Sequence, residues 1–454
     1  MKINIPEEIK LLSTYFHDPL YVVGGYVRDS LLGYSPSDAD ISSPTPPEEV
    51  KRLLKNSPFT VTYASKKLFT LVIRGQCGLY EYTAFRKDSY TSGHRPSEVV
   101  GTTSLQEDAS RRDFTVNALY YDIKNESLVD PLNGLSDLNS KLLRTTRKPD
   151  EVFSEDGLRL MRLARFAACL NFSIEKETFD GAKKNALVIN EISAERVRDE
   201  LDKILVADLR YGVKDAQKRG LELLRDVGVL ALILPELTAE IGMVQNPDYH
   251  KYDVFEHTLE AVRFADPEVR LAALMHDIAK PYMKINFGFF HGHDKQGAIM
   301  TKNILCRLRY PNSVIEETAR LTETHMFNLK NDAKNNTVRK FILNNSDILE
   351  KLIKLKYADY YASGMGKTAD LPSADRIMQI YREMKNNGVP FSVSELKVNG
   401  DDLTEIKELP PDKRGQCLKA LLYECVLEDS PYLTRENQLT FIKNYARRQL
   451  WITE

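Results

Sequence analysis

Asp38 and Asp40 stand two residues apart in Ser35-Pro36-Ser37-Asp38-Ala39-Asp40-Ile41. On a strand that spacing turns both carboxylates to one face. Such a pair is a hard-oxygen site suited to Mg²⁺, which takes one or two carboxylates together with substrate phosphates. About one helix upstream, the apolar run Val22-Val23 ends in Gly24-Gly25, and Arg28-Asp29 follow. Two glycines let the backbone turn sharply and approach phosphates with no Cβ in the way. A helix beginning at about Tyr26 aims its free N–H groups at the same place. Arg28, one turn in, adds a forked charge-assisted contact. Each half alone suits an ordinary strand–turn–helix junction or a solvated turn. In this order they suit the handling of a nucleoside triphosphate.

Order and spacing together resemble the nucleotidyltransferase head of the DNA polymerase β superfamily. Within it they resemble the class II tRNA nucleotidyltransferase/poly(A) polymerase family, which holds the CCA-adding enzymes and bacterial poly(A) polymerases. The resemblance implies a third carboxylate on a later strand, and Leu79-Tyr80-Glu81-Tyr82-Thr83-Ala84 fits. Alternation sets Glu81 against Tyr80 and Tyr82, so Glu81 faces the metals while the tyrosines pack. Arg111-Arg112-Asp113-Phe114-Thr115-Val116-Asn117-Ala118-Leu119 is similar to the family's ribose-recognition motif. The similarity implies Arg112 on the triphosphate or sugar, and Asp113 or Asn117 on the 2′-hydroxyl. Asp130–Leu138 resembles a hinge between head and neck.

Glu155-Asp156-Gly157-Leu158-Arg159-Leu160-Met161-Arg162-Leu163-Ala164-Arg165-Phe166 has a helical pattern, with Asp156, Arg159, Arg162 and Arg165 in a slanting row. Alone this is a solvated stripe on an amphipathic helix. In context it resembles the protein template of CCA-adding enzymes. There the Asp accepts from the exocyclic amine of C or A, and the first Arg donates to the adjacent ring nitrogen. U and G turn acceptor to acceptor and donor to donor, at a cost of roughly 1–3 kcal/mol per wrong base edge. Arg162 and Arg165 then hold the triphosphate or stack on the base.

A second constellation, His257, His276-Asp277, His293, His325 and Asp359, follows the ligand order of HD-domain phosphohydrolases. Imidazoles with carboxylates suit a divalent transition metal better than Mg²⁺. His276-Asp277 is expected mid-helix in an apolar stretch, and His291 is not assigned.

These sites need elements to carry them. Residues 1–140 mix short strands and helices and are expected to form an α+β, polymerase β-like head. Residues 141–245 predict a helical neck, 246–375 an HD-type helical body, and 376–454 a helical tail that resembles the tRNA-gripping tail of the family. The turn at Pro410-Pro411 departs from the family's usual one. Residues 86–103 are polar and without periodicity, which predicts a mobile loop.

The 454 residues suffice for roughly three domains. A net charge of −2 excludes a polybasic coat for nucleic acid, so an RNA partner needs local patches such as Lys141, Arg144, Arg147 and Lys148. Five cysteines without a C-x-x-C pair suit reduced thiols. No apolar run approaches membrane-spanning length and the start lacks a signal-peptide core, so a cytoplasmic protein without a membrane partner is expected. The expected activity is template-independent addition or repair of the tRNA 3′-CCA end from CTP and ATP by two-metal (Mg²⁺) catalysis. The alternatives are a poly(A) polymerase, a CC- or A-only adding enzyme, an HD phosphohydrolase with a secondary head, and a pure tRNA-binding module.

Overall fold

The computed structural model describes residues 3–90, 97–365, 371–406, 409–449 and 451. They form two compact units, Met1–Ile241 with Asn303–Pro311, and Gly242–Lys302 with Asn312–Glu454.

The first unit opens on a mixed seven-stranded sheet. Its strands are β1 (Tyr21–Val23), β2 (Asp40–Ser43), β3 (Thr60–Ser65), β4 (Thr70–Arg74), β5 (Leu79–Ala84), β8 (Tyr120–Asp122) and β9 (Ser127–Val129), in the spatial order β3-β4-β5-β2-β1-β8-β9. β5 alternates as its sequence predicts: Leu79 and Glu81 are exposed, while Tyr80, Tyr82 and Ala84 are buried. Val23, Phe85, Ala109, Ala118 and Tyr120 form a small core.

β2 pairs with β5 in parallel, with Asp40 opposite Glu81, and with β1 antiparallel, with Val23 opposite Asp40. β8 continues the row, with Tyr120 opposite Val23. Helix Gly25–Leu31 starts one residue earlier than expected. The demand of the turn falls on Gly24, at φ +69°.

Two local expectations are revised. β2 starts at Asp40, so Asp38 precedes the strand; the alternation nevertheless holds, with Asp38 and Asp40 exposed and Ala39 buried. Within 86–103, β6 (Arg86–Ser89) and β7 (Glu98–Gly101) pair antiparallel from Arg86↔Gly101 to Ser89↔Glu98. This ribbon has no fully buried face, so its sequence carries no apolar alternation. The tip of the expected loop, 91–96, lies outside the described residues.

From 141 the first unit is helical except for a two-residue parallel pairing of β10 (Leu142–Leu143) with β11 (Ser173–Ile174). The expected continuous helix over 155–166 is broken. Helix Pro149–Glu155 ends, Asp156 is extended (φ −149°, ψ 105°), and a new helix runs Leu158–Cys169. The Asp156 carboxylate accepts from the Leu158 N–H at 3.0 Å, satisfying one of the amides a helix start leaves free. Gly157 passes so near residue 188 that a Cβ would lie 2.6 Å from the Val188 carbonyl oxygen. Helix Leu158–Cys169 packs on helices Ala194–Leu205 and Ala216–Asp226.

The second unit is helical in its described residues. Helices Val254–Phe264, Arg270–Met275, Asn312–Thr324 and Leu349–Ala362 surround a polar interior. His276-Asp277 lies in the turn between Arg270–Met275 and Lys280–Phe287, not mid-helix. The C-terminal helices Pro372–Asn386, Pro411–Cys425 and Arg435–Arg448 close a further core around Ile342, Ile377, Met384, Leu421 and Ile442. Pro411 occupies the first turn of its helix, where its missing N–H costs nothing. Among the described residues no helix is long and apolar enough to cross a membrane.

Candidate active site

The register that pairs Asp40 with Glu81 sets two carboxylates side by side on one face of the sheet. Asp38 joins them from the preceding segment, and Asp38 and Asp40 both line a cavity of about 750 Å³. Glu81 faces an adjoining cavity of about 250 Å³ that also touches Asp40 and Arg112. The Asp40 carboxyl faces open space but is surrounded by enough protein to be desolvated. That burial, then the charges of Glu81 and Asp38, against the pull of Arg112, raise it to about pKa 6. Three hard-oxygen groups crowded until one resists ionising are a donor set suited to divalent cations.

The glycines divide their work. Gly24 makes the left-handed turn, and a Cβ there would meet Arg112 Nη1 at 3.4 Å. Gly25, which also lines the cavity, has only Arg28 Nη2 within reach at 3.7 Å, so its missing side chain leaves room for a ligand. Arg112 is aimed from behind: its Nε donates to Tyr120 Oη at 3.0 Å, and that hydroxyl donates to the buried Asp108 at 2.6 Å.

Asp113 and Asn117 form the centre of a chain of contacts. Asp113 Oδ2 accepts from Arg162 Nε at 2.7 Å, and its Oδ1 accepts from Asn117 Nδ2 at 3.1 Å and from the Phe114 N–H at 2.8 Å. Burial pushes the Asp113 carboxyl up, but Arg162 and these donors outweigh it and hold it at about pKa 2. Asn117 in turn accepts from Arg28 Nη1 at 2.5 Å. Arg28 is held from several sides. It is almost wholly buried, and its Nε and Nη2 are taken by Asp29 at 2.9 and 2.7 Å and by Tyr211 at 2.9 Å. In this structure it braces Asn117, and it also lines the cavity of Asp38 and Asp40.

Asp156, Arg159, Arg162 and Arg165 all line the larger cavity, each with a partner of opposite charge. Asp156 accepts from Arg196 at 2.7 Å, and Arg159 donates to Glu155 at 2.9 Å and to the Arg111 carbonyl at 2.7 Å. Arg165 donates to Glu200 at 2.6 Å. The guanidinium carbons of Arg28, Arg162 and Arg165 lie 5.0, 5.1 and 4.1 Å from the centre of the Phe166 ring. Two arginines of the expected basic patch are likewise countered, Arg144 by Asp137 and Glu175 and Arg147 by Glu151 and Glu155, while Lys141 and Lys148 are exposed.

Sequence reasoning missed Asp29, Arg196, Glu200, Arg210 and Tyr211. Asp29 is fully buried and accepts from Arg210 at 2.7 Å and from Tyr211 at 3.0 Å. Glu200 carried a signal, an acid within the apolar stripe Val197, Leu201, Ile204. Asp29, Arg210 and Tyr211 carried none.

The second unit brings all six expected residues of the other constellation together. His257 Nε2 lies 3.0 Å from Asp359 Oδ1 and 3.2 Å from His276 Nε2. His293 Nε2 lies 3.1 Å from Asp277 Oδ1 and 3.4 Å from His325 Nε2. All are buried apart from the half-buried Asp359. His291 is exposed. A ring of imidazoles and carboxylates suits transition-metal ions, and Lys280 pairs with one of its carboxylates, Asp277, at 2.6 Å.

Comparison with known proteins finds three matching regions. The poly A polymerase head domain matches residues 20–144, the probable RNA- and SrmB-binding site of polymerase A matches 171–241, and the HD domain matches 250–364. A CCA-adding enzyme of Streptococcus thermophilus is 44% identical over 188 residues, which is 41% of this chain and 46% of that enzyme's length. An A-adding tRNA nucleotidyltransferase of Deinococcus radiodurans is 31% identical over 88% of this chain and 90% of its own length. The crystal structure of the Bacillus stearothermophilus CCA-adding enzyme in complex with CTP shares the fold, with a TM-score of 0.66 at 22% identity over 98% of both chains. Both families that the HD and head matches name depend on metal ions for their chemistry. Because a relative above 30% identity matches over nine-tenths of its length, and the head domain covers the strands that carry the carboxylate row, the chain belongs to the tRNA nucleotidyltransferase/poly(A) polymerase family.

Proposed function

We propose that this protein adds or repairs the 3′-terminal CCA of tRNA in the cytoplasm, using CTP and ATP and releasing pyrophosphate. The observation that carries the reading is one cavity lined both by Asp38 and Asp40 and by Asp156, Arg159, Arg162 and Arg165. Asp38 and Asp40, aided by Glu81, hold Mg²⁺, which supplies charge neutralisation at the reacting phosphate. The protein's own work is positioning. Arg112, held by Tyr120 and Asp108, takes the triphosphate; Asp113 and Asn117 take the sugar. Asp156 and Arg159 read the base by exchanging Arg196 and Glu155 for the amine and ring nitrogen of C or A. The chain works as head (1–140), neck (141–245), HD body (246–375) and tRNA-binding tail (376–454).

The test is incubation with tRNA lacking its CCA end. CTP alone should extend it to CC, and CTP with ATP should complete CCA. Extension only of tRNA that already ends in CC, and only by ATP, would make this an A-adding enzyme like the Deinococcus relative. Long A tracts would make it a poly(A) polymerase.

We propose further that the HD body binds a divalent transition metal and hydrolyses phosphate esters. What supports this is the convergence of four imidazoles and two carboxylates in the interior of the second unit.

A further inference from the structure

Resting on the reading of Asp38 as a magnesium ligand, we propose that Arg210 is a positioning residue that sets, through Ser37, the direction of the Asp38 carboxylate. The two aspartates are not held alike. Asp40 opens β2 and is fixed on both sides by strand pairing, opposite Val23 of β1 and Glu81 of β5. Asp38 precedes the strand, on the connection that returns from helix Gly25–Leu31, so no ladder sets its backbone. Ser37 and Asp38 are both exposed. A carboxylate on such a segment turns among several rotamers unless contacts from outside the sheet hold it.

Those contacts come from helix Ala207–Tyr211 of the neck. Arg210 Nη2 donates to Ser37 Oγ at 3.2 Å, across 173 residues of chain, and Ser37 Oγ donates to Asp38 Oδ2 at 3.3 Å. A serine hydroxyl has one hydrogen; because its oxygen accepts from Arg210, that hydrogen is directed to the carboxylate. Arg210 is itself anchored, since the same Nη2 donates to Asp29 Oδ2 at 2.7 Å. Asp29 is wholly buried, and its Oδ1 also accepts from Arg28 Nε and Nη2 at 2.9 and 2.7 Å and from Tyr211 Oη at 3.0 Å. The neck grips the same connection a second time. The Tyr34 ring stands edge-on to that of Tyr211, with centroids 4.8 Å apart, and the Tyr34 N–H donates to the Asp29 carbonyl at 2.9 Å.

The chain therefore runs from a buried aspartate through Arg210 and a hydroxyl to one oxygen of Asp38. A carboxylate tethered at one oxygen has less freedom to lose when it binds a cation. Direction matters most for Mg²⁺, which demands near-ideal octahedral geometry. The neck, which carries the base-selecting row, thus also orders one of the two aspartates of the metal site.

The experiment follows the melting temperature of the full chain, stripped with chelator, as Mg²⁺ is titrated in without substrate. The variants are Arg210→Met, which keeps the stem, Arg210→Lys, which keeps a donor, Ser37→Ala, which leaves the Asp29 anchor untouched, and Asp38→Ala. We expect Mg²⁺ to raise the melting temperature of the parent. Ser37→Ala and Arg210→Met should need roughly two- to tenfold more Mg²⁺ for half that rise, the weight of one net hydrogen bond, and Arg210→Lys less. Ser37→Ala should melt like the parent before Mg²⁺ is added, and should change nothing further in an Asp38→Ala background. CTP incorporation by Ser37→Ala and Arg210→Met should fall at low Mg²⁺ and recover at saturating Mg²⁺ with the parent's KM for CTP. An unchanged Mg²⁺ midpoint in Ser37→Ala, or the same shift with Asp38 already removed, would overturn the relay while leaving Asp38 as a ligand. A raised KM for CTP or tRNA in Arg210→Met that persists at saturating Mg²⁺ would overturn it too, making Arg210 a direct substrate contact. No Mg²⁺ rise in the parent, or a full rise with undiminished CTP incorporation in Asp38→Ala, would overturn the ligand reading together with the relay.

Discussion

Asp40 behaves unlike a typical surface carboxylate, and the difference is measurable without substrate. Its folded pKa of about 6 lies above the ordinary 3.8, so the fold binds the proton more tightly than the unfolded chain does. Stability therefore falls as pH rises from 3.8 through about 6, the reverse of a salt-bridged aspartate. Asp40→Asn should raise the melting temperature of the metal-free protein at slightly alkaline pH. The gain should shrink as pH drops through about 6 and vanish below 3.8. Mg²⁺ should raise the melting temperature of the parent and not of the variant. Asp113 has the opposite sign. Its pKa of about 2 makes its stabilisation complete above the ordinary 3.8 and lost as pH falls through 2. Arg162→Met strands that carboxylate and should cost about 2–3 kcal/mol in urea unfolding, whereas Asp113→Asn, which keeps an acceptor, should cost less. The common facing of Asp38 and Asp40, and that of Glu81 against Tyr80 and Tyr82, was legible in the sequence because alternation is local. The partners of the arginines were not. Asp113 is 49 residues from Arg162 and Glu200 is 35 from Arg165, and no periodicity links residues so far apart.

The elements that carry these residues depend on two glycines in different ways. Gly157→Ala would push a methyl against the Val188 carbonyl, where backbone must move. We expect a loss of about 1–3 kcal/mol, and relaxed choice among nucleotides as Asp156 shifts. Gly25→Ala meets nothing tighter than 3.7 Å, so it should melt like the parent and show its effect as a higher KM for the triphosphate. Thermal melting beside steady-state kinetics separates the two. Element types were largely visible, since β5 alternates and the neck helices have apolar stripes. Boundaries were not. A single turn of extended backbone at Asp156 splits an otherwise helical pattern, and the β6–β7 ribbon has no buried face to print a period on its sequence.

Each unit of the whole molecule has its own buried core and its own polar centre, with no ligand residue in common. His276→Ala with Asp277→Ala should therefore abolish transition-metal binding and leave CCA addition within about twofold of the parent, provided the melting curve is unchanged; a parallel collapse of both would tie the activities together. The division into an α+β part and a helical part was visible in the change of pattern near residue 141. The pairing of head with neck in one unit was not, because it rests on contacts such as Asp29 with Arg210, 181 residues apart. The single register row that holds Glu81, Asp40, Val23 and Tyr120 also bears on how the protein acquires its activity. These four strands close only when segments about a hundred residues apart have met, and such distant pairings form slowly. A slip of one residue in β5 would put Tyr80 or Tyr82 where Glu81 belongs and turn the carboxylate inward. During refolding, recovery of nucleotide addition will then lag behind recovery of helix signal, because the helices need only near neighbours whereas the carboxylate row needs the whole sheet in register.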